Sequence, residues 1–146
     1  MEGENSTAVL KSDAWLVAPE AVVQKVLQLD KLDMSETQVL EALLKWGRAQ
    51  VDAEGHDPTD GTSLRKEVES SLKCIRFNQF TQKQFAEACR DDLGLVLSAD
   101  EKFQIIECIN LEQWEKMPAH LMPVTQHGPR TRQNLSFFVT ASPVYK

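Results

Sequence analysis

Apolar residues recur along this chain at three- and four-residue spacing, in blocks separated by polar turns. That is the period of helices packed by one face. The strongest block contains Val39, Leu40, Leu43, Leu44 and Trp46, with Glu41 and Lys45 on the outer side. Ser35 followed by Gln38 is a capping-box pattern, in which the hydroxyl accepts from the Gln38 N–H and the Gln38 amide reaches back to the Ser35 N–H. A helix is therefore predicted from Ser35 through Trp46, with Gly47 closing it or the stripe carrying on to Ala49 or Val51. Thr81 with Gln84 and Ser98 with Glu101 repeat the capping pattern. The first should open a helix through Phe85, Ala88, Cys89 and Leu93 that Gly94 stops, and the second a helix through Phe103, Ile106 and Ile109.

The weaker blocks complete a helical series. Asn5 or Ser6 can cap a short helix through Leu10 and Lys11. Pro19 suits a first helical position, where its missing N–H costs nothing, and Val22, Val23, Val26, Leu27 and Leu29 continue from it to about Asp30. Residues 52–63 carry the Gly, Pro and Asp chemistry of a loop. Leu64, Val68, Leu72 and Ile75 form the inward stripe of a helix from about Ser63 to about Cys74, followed by a turn over Arg76 to Gln79. A last short turn from Leu111 to Met117 ends at Pro118. Short links favour antiparallel neighbours, so the expected fold is all-α, with stacked antiparallel helical hairpins over residues 1–118. Residues 119–146 change character: they hold no Asp or Glu, three prolines, and Arg130, Arg132 and Lys146. Their 134–141 stretch has irregular or strand-like composition. It suits either the start of a following domain or a strand that adds to a partner's sheet edge.

The order of residues within these helices resembles a known family. Leu32–Asp33, Ser35–Glu36, Val39, Ala42–Leu43 and Trp46 are similar to the central signature of the BACK domain, the helical module that follows BTB domains in ubiquitin-ligase adaptors. Upstream, Val9 to Leu16 with Pro19, Glu20 and Leu27 resembles the family's entry segment, and Trp15 stands where an aromatic is usual. Downstream, Leu64–Arg65, Val68, Leu72, Ile75–Arg76–Phe77 and Phe80 resemble its next helix. The resemblance covers roughly residues 8 to 93. It implies that Trp15, Leu16, Glu36, Ala42, Trp46, Arg65, Leu72 and Arg76 are structural signature residues that hold the module together. The chain departs from the pattern in the 52–63 loop, which separates Trp46 from Arg65 by more than is usual. No BTB sequence precedes residue 1, so this stretch alone is expected to lack most of the cullin contact and dimerisation that a BTB domain supplies.

Composition narrows the function classes. Hydrophobic content of 42% and charged content of 26% are those of a globular chain, which argues against wholesale disorder. A net charge of −6 argues against a general nucleic-acid binder, and Arg130 and Arg132 beside Phe137 and Phe138 are too few cations to reverse that. No apolar run reaches membrane-spanning length, and the polar N-terminus does not read as a signal peptide. Asn5 and Asn134 open glycosylation-type triplets that, without a secretory signal, carry no weight. Cys74, Cys89 and Cys108 are odd in number and lack the close spacing of a zinc site. They read as reduced thiols of a cytoplasmic or nuclear protein.

Candidate chemistry is sparse. His56, His120 and His127 lie in the loop and the tail, and nothing marks a Cys–His pair. The acid pairs Glu67/Glu69, Asp91/Asp92 and Asp100/Glu101 read as solvated faces, with Glu101 as a cap. The glycines form no phosphate-binding loop. The expectation is a non-enzymatic protein with no cofactor, no bound metal and no catalytic residues. By resemblance it would be an adaptor module, positioning an unknown protein substrate relative to a cullin-RING ubiquitin ligase. The alternative is a ubiquitin-independent interaction module that binds through its C-terminal tail. Trp114, Phe137 and Phe138 are the candidate interface residues.

Overall fold

A computed structural model describes residues 10–29 and 34–121. Among them are seven α-helices: α1 (Asp13–Leu16), α2 (Glu20–Leu27), α3 (Glu36–Ala53), α4 (Gly61–Val68), α5 (Gln82–Arg90), α6 (Asp92–Val96) and α7 (Ala99–Leu111). Short 3₁₀ turns cover Glu69–Cys74, Phe77–Gln79, Trp114–Lys116 and Ala119–Leu121, and no strand occurs among the described residues. The fold is all-α. The expected caps Asn5 and Ser6, the signature pair Leu32–Asp33, and the stretch 134–141 with Phe137 and Phe138 lie outside the described residues.

All three capping boxes form. Ser35 Oγ accepts from the Gln38 N–H at 3.3 Å while Gln38 Oε1 accepts from the Ser35 N–H at 2.9 Å. Thr81 with Gln84, and Ser98 with Glu101, make the same reciprocal bonds. Each supplies acceptors or donors that the first helical turn lacks internally.

Helix α3 does not end at Gly47. Its apolar stripe continues to Val51, 1% exposed, so burial favours helix as far as Ala53. Gly47 instead makes room for α4. A Cβ built there would lie 2.5 Å from Val68 Cγ1 and 2.9 Å from Leu64 Cδ1. Positions 47 and 68 sit about equally far from the connecting turn, so α3 and α4 form an antiparallel hairpin in close contact. The connection itself is residues 54–60, shorter than the expected 52–63 loop. Asp60 starts α4 early by accepting from the Thr62 N–H and the Ser63 hydroxyl. Gly47→Ala should gain about 1 kcal/mol in helix propensity. It should lose more through overpacking against a stiff β-branched neighbour, for a net cost of about 1 kcal/mol. Chemical unfolding will show this, and Val68→Ala in the same chain should reduce the penalty below the sum of the two.

Four more expectations shift. Pro19 is the N-cap of α2, in extended conformation, and not its first helical residue. The helix expected from Ser63 to Cys74 is α4 followed by a tighter turn from Glu69. There Ser70 and Ser71 both accept from Gln24 Nε2 on α2 at 3.3 Å, and the Ser70 hydroxyl donates to Glu20. Serine hydroxyls that bond sideways in this way compete with regular helix. Gly94 does not stop α5. The chain bends at Asp91, and Gly94 lies inside α6, where a Cβ would strike the Cys89 carbonyl.

The fourth shift concerns α7, which turns Glu101, Ile105 and Cys108 inward and leaves Phe103 61% exposed. It closes through Glu112 in the left-handed region. The core joins all the helices. Within it Phe77, Phe80 and Phe85 meet in tilted and edge-to-face contacts, with ring centroids 5.6 to 6.4 Å apart. Met117 and the fully buried Leu121 close one end, so the packed body extends through the last described residue.

Candidate functional site

Three groups of side chains stand out from the general packing. The first ties the α1 region to α3. Trp15, fully buried, donates its indole N–H to the Ala42 carbonyl at 2.9 Å. Trp46 donates in the opposite sense to the Ala18 carbonyl, also at 2.9 Å, and Gln50 Nε2 donates to the Leu16 carbonyl at 2.6 Å. Ala42, Trp46 and Gln50 are four residues apart, one per turn, so a single row on α3 holds the 15–18 segment. At the start of α3 the buried Glu36 accepts from the Arg76 backbone N–H at 2.8 Å. Seven of the eight signature positions, Trp15, Leu16, Glu36, Ala42, Trp46, Leu72 and Arg76, are thereby core residues or bonding partners at joints between segments. Gln50 was not foreseen, since an isolated polar residue late in a helix carries no sequence signal.

The eighth, Arg65, belongs to the second group. Its guanidinium grips Glu101 by two bonds of 2.8 and 2.9 Å and donates to the Val96 carbonyl at 2.9 Å. Glu69 adds a longer contact at 3.7 Å. Glu101 is the centre of this node: it also caps α7 through the Ser98 N–H and meets His120 Nε2 at 2.6 Å. So α4, α7 and the 119–121 turn are joined at one carboxylate. The Arg65 hydrogen bonds are the main reason the Glu101 carboxyl is held down at about 2, with the Ser98 and His120 bonds adding to them against desolvation. The same pairing raises the Arg65 guanidinium above its ordinary value.

A folded pKa below the unfolded one stabilises the protein above the unfolded value. That contribution is complete above about pH 4.5 and is lost as the pH falls toward 2. The loss should amount to about 3 kcal/mol in unfolding free energy, and Glu101→Gln should flatten the profile in that window. Glu67 acts with the opposite sign. Burial first, then its hydrogen bond with Glu54 and the charge there, push its carboxyl up. Comparison of the two pH profiles isolates Glu101 from it.

The third group lines a groove of about 610 Å³ between α3 and α5. Leu40, Leu44 and Ala88 form its floor, and Thr37, Gln84, Glu41, Glu87, Asp91, Asp92 and Arg48 its sides. Arg48 and Asp92 form an ion pair across it. Of the pair Asp91/Asp92, Asp91 is exposed as expected and marks the bend, whereas Asp92 is partly buried and links α6 to α3.

Other candidates separate. Trp114 is half-buried against the edge of the core in the 114–116 turn. Phe103 is the more exposed aromatic, although the helical spacing had placed it on the inward stripe. Cys74 and Cys108 are buried, and burial pushes the Cys89 thiol up, away from the thiolate that nucleophilic chemistry needs. His120 is engaged by Glu101, and His56 stands in the exposed 54–60 loop. Among the described residues no group of three or more His, Cys, Asp or Glu converges on a metal position, and no helix is long and apolar enough to cross a membrane.

No family model matches the chain, and no curated protein or solved structure matches it either. The class defined by the geometry is an all-α module, braced by indole-to-carbonyl bonds and one carboxylate node.

Proposed function

We propose that this chain is a non-enzymatic scaffold, the BACK-like module of a BTB–BACK adaptor in the cytoplasm or nucleus. It would set the distance and angle between a cullin-RING ubiquitin ligase and a protein substrate held elsewhere. One observation carries the reading. The residues on which the BACK resemblance rests are those that brace the body: Trp15 to Ala42, Trp46 to Ala18, and Glu36 to the Arg76 N–H. A spacer transmits geometry only if its joints are rigid, and buried, hydrogen-bonded joints between segments distant in sequence supply that. The side chains at those joints are engaged in packing, which suits a part that positions other molecules and performs no reaction.

The test is isolation of the endogenous protein with its partners. Cullin should be recovered with it, and deletion of a BTB segment joined to this module should abolish the recovery. A protein that carries no BTB segment and recovers no cullin overturns the ligase reading.

A further inference from the structure

We propose that the groove between α3 and α5 is the docking site for the chain's own residues 122–146. The groove has an apolar floor, Leu40 and Leu44, and an acidic rim. Glu41, Glu87 and Asp91 are exposed, and none of the three is ion-paired among the described residues, because Arg48 is engaged by Asp92. Carboxylates facing one hollow repel each other, and a cationic occupant converts that repulsion into attraction. Its volume falls within the range of clefts that take side chains or small ligands.

Charge identifies the occupant. Residues 122–146 contain Arg130, Arg132 and Lys146 and no acid, within a chain whose net charge is −6. Phe137 and Phe138 follow the two arginines closely, so the segment offers aromatic rings for the floor beside guanidinium groups for the rim. Reach is sufficient. The residues from Leu121 to Phe137 can extend to about 55 Å, more than the roughly 35 Å breadth expected of a body this size. A tether of that length holds the segment at an effective concentration on the order of millimolar, enough for individually weak contacts to act together. The inference does not rest on the adaptor reading, and recovery or absence of cullin leaves it unaffected.

The experiment uses the whole chain with Phe138 replaced by the photo-crosslinker p-benzoylphenylalanine, followed by peptide mapping. Adducts within one chain should map to residues 37–48 or 84–92, with a yield independent of protein concentration. Glu41→Lys with Glu87→Lys, both at exposed positions and with an unchanged fold to be verified by circular dichroism, should lower that yield about fivefold. Adding Arg130→Glu and Arg132→Glu to the same chain should restore most of it. Adducts elsewhere on the body, adducts formed between two copies, absence of adducts, or a yield indifferent to the charge reversal would each overturn the proposal.

Discussion

Trp15→Ala is expected to lower the unfolding free energy by about 4 kcal/mol, enough to leave a protein of ordinary stability partly unfolded at 37 °C. The side chain is fully buried, and its removal leaves both a cavity and the Ala42 carbonyl without its indole donor. Trp15→Phe separates the two effects. It keeps most of the volume and loses the bond, so its cost should be about 1 to 2 kcal/mol. Urea unfolding followed by far-ultraviolet circular dichroism measures both. An unchanged midpoint in Trp15→Ala would mean that the α1 segment is not part of the cooperative body.

Arg65→Met should cost about 3 kcal/mol, for a different reason. It leaves Glu101, whose side chain is 10% exposed, ionised in a poorly solvated place with His120 as its remaining side-chain partner. The signature is the pH profile: without Arg65 the carboxyl is no longer held at about 2, so the variant should begin to lose its deficit as acid protonates Glu101. Removing both charges with Arg65→Met and Glu101→Leu should recover much of the stability, because apolar replacements of a buried pair cost less than an orphaned charge. If the double variant is as unstable as Arg65→Met alone, packing around the aliphatic stem of Arg65 is the larger contribution.

These two cases mark the limit of what the sequence discloses. The starts of α3, α5 and α7 were legible because a capping box is local chemistry, complete within four residues. The inward stripes of α3 and α4 were legible because, Glu36 apart, their buried positions are apolar or glycine. The face of α7 was not. Its inward face includes Glu101, which a hydrophobic pattern assigns to water, and the charge that admits it is Arg65, 36 residues earlier. Glu101 read correctly as a cap, but its burial was not foreseen, and the predicted stripe ran through Phe103, which lies outside. Gly47 and Gly94 were misread for a related reason. A glycine that stops a helix and one that admits a neighbour's backbone or side chain look alike until the neighbour is placed. The α3–α5 groove was invisible as a groove, since Glu41 read as an ordinary outer-face residue and nothing singled out Glu87 on a separate helix. The signature residues were legible by resemblance as structural positions, but their bonds to the carbonyls of Ala42 and Ala18 were not.

The row formed by Ala42, Trp46 and Gln50 has a mechanical consequence. Its three bonds to residues 15, 18 and 16 lie side by side along α3, and two run from α3 outward while one runs inward. A pull on the chain at Asp13, directed along the α3 axis, loads all three together in shear. Pulled perpendicular to α3, the same segment would peel, breaking its bonds one after another at lower force. The attachment of residues 15–18 to α3 is therefore expected to resist shear better than peeling, a directional strength confined to that one joint.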